Sequence, residues 1–173
     1  MSAPSTTQTY TVLINSADKL YATDTEDHFH VNLPNRIPER FKEFYVRCLS
    51  LSAETGSPSS APLWRFLVAK VSLGQNVIAS NPVLANVVGM QINYADKSHV
   101  MPDQPLLRCS RPDFNNLEVR LLAQNAAAGS TIGDWTRPAF NNSSFTARTT
   151  LVLEFIPITE DTVMPNFQGY KRN

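Results

Sequence analysis

Two histidines and three carboxylates form the densest set of chemistry-bearing side chains in this chain. His28 and His30 stand two residues apart, and in an extended strand that spacing puts both rings on one face. Asp24, Glu26 and Asp27 lie just upstream, so imidazole and carboxylate donors of the kind that ligate a divalent metal are close in sequence. A zinc site wants a third or fourth ligand at fixed spacing, and the chain offers only one more histidine, His99. The pair therefore reads as solvated strand histidines, with no metal and no cofactor assigned. The carboxylates of Asp24 to Asp27 read as an exposed acidic turn.

No other constellation supplies a reaction. Ser, His and Asp all occur, but there is no G-x-S-x-G element to present a nucleophile. The six glycines are scattered, so no phosphate-cradling loop is formed. Trp64, Phe66, Trp135 and Phe140 have the flat faces that stack on sugars in lectins. Trp64 and Phe66 fall in a strand-like run, where core packing is the default. Trp135 falls in a polar loop, where it is a loop anchor or a contact residue. Cys48 and Cys109 both sit in strand-like runs and read as buried free thiols. Taken together, the residues predict a protein that is not an enzyme.

Composition narrows the remaining classes. Fifteen acids cancel fifteen bases, whereas a protein whose main task is to hold nucleic acid needs a basic excess to neutralise phosphates. Charged residues make up 17% of the chain, below the usual ~25%; a thinly charged surface is easier to bury against a neighbour. The 173 residues suit a single domain that buries roughly two-thirds of its unfolded surface without disulfides or metals. Met1 to Gln8 is polar and lacks the apolar centre of a signal peptide, and no apolar run approaches the ~18 residues of a membrane span. The expectation is synthesis in a reducing compartment. On that expectation the sequons at Asn141 and Asn142 are chance matches.

The elements that must position these residues are strands. Eight short apolar stretches alternate with period two and are bounded by Gly, Pro, Asn, Asp or Ser. They are B (Thr9–Asn15), C (His28–Leu33), D (Glu43–Ser52), E (Trp64–Leu73), F (Val87–Tyr94), G (Leu106–Ser110), H (Asn116–Gln124) and I (Arg148–Ile158). Helix is limited to a turn or two in Arg36–Phe44 and in Asn81–Val88, where Pro38 and Pro82 intervene. Eight antiparallel strands of this size fit an all-β, two-sheet jelly roll. The division is an N-terminal arm at 1–8, the domain at 9–158 and a C-terminal tail at 159–173. Loops BC, DE, FG and HI gather at one end of such a fold. Eight acids against three bases give that end −5, while the CD loop, with Arg36, Glu39, Arg40 and Lys42, gives +2.

Two segments carry a family resemblance. TYTVLINSADKLYATDTEDHFHVNLP near the N-terminus gives a strand, an Asn-Ser-x-Asp turn, a short acidic loop and a second strand ending in Leu-Pro. FNNLEVRLLAQN followed by a Gly-containing loop and TTLVLEFIPI gives the last hairpin. Together they cover about half the chain and resemble the single jelly-roll penton and minor capsid proteins of icosahedral double-stranded DNA viruses. These are the viruses whose major capsid protein is a double jelly roll, such as large algal viruses, virophages and polinton-like viruses. The resemblance implies sheets BIDG and CHEF standing roughly upright in a homopentamer that closes a five-fold vertex. It implies neighbouring major and minor capsid proteins as partners, no direct nucleic acid, and a virion location after synthesis in the host cytoplasm. Alternatives are a cement protein between capsomers, a small-virus coat (disfavoured because Met1–Tyr10 holds no Lys or Arg) and a carbohydrate-binding module. Candidate assembly or surface contacts are Asp24, Glu26 and Asp27, then Arg36 and Arg40, then Trp135 and Phe140, and in the tail Phe167, Tyr170, Lys171 and Arg172.

Overall fold

Alternation decides which residues meet. In the computed structural model, residues 8–33, 37–53, 64–73, 87–94, 97–100, 106–125, 135–136 and 148–159 are described. Strand β1 is Tyr10–Asn15, β2 His28–Val31, β3 Glu43–Ala53, β4 Trp64–Val71, β5 Val87–Tyr94, β6 Lys97–Val100, β7 Leu107–Ser110, β8 Leu117–Asn125, β9 Trp135–Thr136 and β10 Thr149–Pro157. One sheet runs β1-β10-β3-β7 and the other β2-β8-β4-β5-β6, all neighbours antiparallel. With β1 as B and β10 as I, these are the BIDG and CHEF sheets of a jelly roll, and each expected strand lies within two residues of its predicted limits.

The period-2 sets face inward together. Ile14, Phe29, Val31, Phe44, Val46, Cys48, Leu67, Ala69, Val71, Leu117, Val119, Leu121, Leu151, Leu153 and Phe155 share one core between the sheets. Burying each large side chain contributes about 1.5–3 kcal/mol, which is why the two layers need no covalent tie. Both cysteines are free and buried. Phe44, Phe114 and Phe155 stack edge to face, with centroids 5.4 to 6.2 Å apart, the arrangement that sets a positive ring edge against a negative face. Phe114 comes from the turn before β8, so the core is closed by a loop residue that alternation does not reveal.

Two small elements were not anticipated. Strand β6 lies inside the expected FG loop and β9 inside the expected HI loop, where Gln124 faces Trp135 across β8 and β9. Trp135 is half-buried and sits on this short strand, a correction to its placement in a loop. A 3-10 turn at Ser16–Asp18 is capped by Asn15, whose side chain accepts from the Ala17 backbone N–H at 2.8 Å. The helical turn expected over Arg36–Phe44 is a single hydrogen-bonded turn, Phe41 N–H to Pro38 carbonyl, followed at once by β3. Arg111 fixes that turn by donating to the carbonyls of Ile37, Pro38 and Phe41. In the second expected helical stretch, Val87 and Val88 belong to β5, and 81–86 lie outside the described residues. The N-terminal arm at 1–7 and the tail from 160 also lie outside them. Among the described residues no helix is long and apolar enough to cross a membrane.

Candidate functional site

The β2–β8 pair brings the two histidines to a third donor. Phe29 and Val31 are committed to the core, so His28 and His30 must point the other way, onto the outer face of the CHEF sheet. In register, His30 faces Glu118 and His28 faces Arg120. Leu117, Val119 and Leu121 are buried on the inner face of β8, which leaves Glu118 and Arg120 on the same outer face as the histidines. His28 Nε2 lies 2.7 Å from Glu118 Oε1, and both side chains are 44% exposed. One ligand atom each from His28, His30 and Glu118 falls within 4.8 Å of the others. The backbone of Glu118 is pinned as well: its N–H donates to Ser72 Oγ and its carbonyl accepts from Ser72 N–H.

His30 is held from the other side by Asp24. Its Nδ1 is 3.0 Å from Asp24 Oδ1, while Asp24 Oδ2 accepts from the backbone N–H groups of His30 and Tyr21. Burial works against the Asp24 charge, but the hydrogen bonds from His30 and Tyr21 and the nearby His30 ring outweigh it, so the carboxyl sits below its ordinary range. An ionised Asp24 only accepts, so in this contact His30 Nδ1 is the donor. Tyr21 packs edge-on against the His30 ring at 5.1 Å and donates its hydroxyl to Asn116 Oδ1. The ring is thus held in place by Asp24 on one side and Tyr21 on the other.

The acidic turn is the main correction to the sequence reading. Asp27 is only 4% exposed, its carbonyl accepting from Leu121 N–H at 2.7 Å. Glu26 holds Lys19 at 2.9 Å and accepts from the Ser16 hydroxyl. The Ser16 oxygen in turn accepts from Thr149 N–H, and the Thr149 hydroxyl donates to the Glu26 carbonyl. Asp24 is spent on His30. Asp24 ties the BC loop to β2 through its side chain, while the carbonyls of Asp27 and Glu26 tie it to β8 and β10, because buried backbone groups must find partners. The local spacing gave little sign of it, since the contacts that bury the turn, those from Leu121 and Thr149, come from distant segments.

Of the other candidate contacts, Arg40 is exposed and lies over the Phe41 ring at 4.8 Å. Arg36, Phe140, Phe167, Tyr170, Lys171 and Arg172 lie outside the described residues, as do the acids of the DE, FG and HI loops that underlie the expected end-to-end polarity. His99 falls on β6, at the opposite edge of the CHEF sheet from β2.

A second surface was not singled out from sequence. On the outer face of the BIDG sheet, Leu13 is 65% exposed and Leu49 43% exposed. Leu13 pairs with Val152, which pairs with Ser50 next to Leu49. The β3–β10 register shifts by one residue there, leaving Leu49 unopposed and pushed outward. Comparison with protein-family models, with curated proteins and with solved structures gave no match for this chain.

Proposed function

We propose that this chain is a non-enzymatic structural protein of a virion, the penton capsomer that closes five-fold vertices by forming a homopentamer. The observation that carries the reading is the pair of exposed leucines, Leu13 on β1 and Leu49 on β3, with the half-buried Val152 of β10 between them. It lies on a jelly roll whose two terminal segments resemble single jelly-roll capsid proteins. A five-fold ring is heterologous: one flank of each subunit meets a different flank of the next. A rigid sheet face bearing apolar side chains at its edge strand suits such a contact, because apolar surface left in water is what association removes. Neighbouring capsid proteins are its further partners, and the shell is its site of action after synthesis in the host cytoplasm.

Native mass spectrometry and sedimentation velocity on the full chain test this. A five-copy species is expected, and Leu13→Glu combined with Leu49→Glu is expected to return it to monomer with the fold intact by circular dichroism. A wild-type monomer that binds a glycan array would establish the carbohydrate-binding alternative. A monomer that attaches only to preformed capsomers would establish the cement alternative.

A further inference from the structure

We propose that His28, His30 and Glu118 form a binding site for a divalent transition-metal ion of the zinc class, stapling the edge strand β2 to β8 and leaving one coordination position open. The inference stands on donor chemistry and geometry and is independent of the capsid reading. Two imidazoles and a carboxylate are the donor set that zinc takes when three protein ligands leave a fourth position for solvent or another group. All three side chains come from paired strands, so their backbones are held in register by the sheet rather than by a loop.

The distances fit with little rearrangement. Zinc bonds of ~2.1 Å in a tetrahedron separate ligand atoms by about 3.4 Å. His28 Nε2 and Glu118 Oε1 start at 2.7 Å, and the whole set spans at most 4.8 Å. An ion entering between them opens the first pair slightly and draws the third donor inward. His28 and Glu118, both half-exposed, have the rotamer freedom to do this. His30 Nδ1 is engaged by Asp24, which leaves Nε2 as the ring atom open to a metal. A carboxylate behind a ligating histidine is the usual outer partner of such a ring, fixing its tautomer and raising its basicity.

The surrounding charge also allows a cation. Asp24 and Glu118 supply two negative charges at the site, against the exposed Arg120 opposite His28. The site closes a cross-strand link at the edge of the CHEF sheet, where β2 is joined to the sheet by four residue pairs with β8. Metal bound there stabilises the folded chain over the unfolded one, because the three ligands converge only after β2 and β8 pair.

Isothermal titration of the full chain with zinc chloride is expected to show one bound ion per chain. The melting temperature should rise with zinc concentration. Asp24→Asn should weaken binding by roughly 10–100-fold, as an outer-partner change does, and Glu118→Gln or His30→Gln should weaken it further still. Imidazole proton–nitrogen correlation spectra of the unaltered chain give a readout that no variant has to survive. Zinc should shift the His28 and His30 rings and leave His99 in place. No zinc uptake by the wild-type chain, equal uptake by His28→Asn/His30→Asn/Glu118→Gln, or a shift confined to the His99 ring would each overturn the proposal.

Discussion

At the scale of single residues, environment decides what each titratable group does. Cys48 and Cys109 lie on inner faces of the BIDG sheet, and desolvation pushes their thiols up to about 11 and about 12. An unfolded thiol ionises near ~8.5. The folded chain therefore keeps two protons that the unfolded chain releases at alkaline pH. The stability linked to them is complete below the unfolded value and is lost as pH rises through the folded values. Urea unfolding followed by fluorescence should show a midpoint independent of pH between about 7 and 8 and falling above about 9, by up to ~1.4 kcal/mol per pH unit per thiol. Cys48→Ala should make that fall shallower. A flat profile up to pH ~11 would mean that these thiols are not buried. Asp24 shows the opposite case, a carboxyl whose charge is kept by hydrogen bonds although burial works against it.

At the scale of elements, what was legible in sequence was periodicity, and what was hidden was pairing. Phe29 and Val31 alternate with His28 and His30, so the inner and outer faces of β2 follow directly from residue order. The same holds for Leu117, Val119 and Leu121 on β8 and for Leu151, Leu153 and Phe155 on β10. That His30 would face Glu118 does not follow, because the register between strands ninety residues apart is set by the whole sandwich and not by either segment. Thus the histidine pair was visible and its third donor was not. Asp27 failed for the same reason: an acid in a polar run reads as exposed until the strands that cap it are in position. Strands β6 and β9, four and two residues long, are too short for alternation to register. The inner-face assignments invite a direct test. Val119→Asp or Leu153→Asp places a carboxylate where the parent side chain is fully buried, and should cost at least about 3 kcal/mol in chemical denaturation. A variant that unfolds at the parent midpoint would put that side chain on the wrong face.

At the scale of the whole molecule, stability and association draw on different forces, and salt separates them. The body is held by one apolar core shared by both sheets. On the BIDG sheet two ion pairs cross strands, Arg108–Glu43 toward solvent and Arg47–Glu154 with its arginine half-exposed and its carboxylate largely covered. Pairs with a solvent-facing arginine gain little in high dielectric and are screened by salt, so the fold should respond only weakly to ionic strength. The proposed subunit contact centres on Leu13, Val152 and Leu49, and the chain carries no net charge. An apolar contact does not weaken as the Debye length shrinks, whereas one built on opposite charges does. Sedimentation velocity at about 0.05 M and about 0.5 M sodium chloride, conditions that change the screening length roughly threefold, should therefore give the same assembled species. If the assembly falls apart at the higher concentration, the subunits are held by charge, and the strip on β1, β10 and β3 is not the surface that joins them.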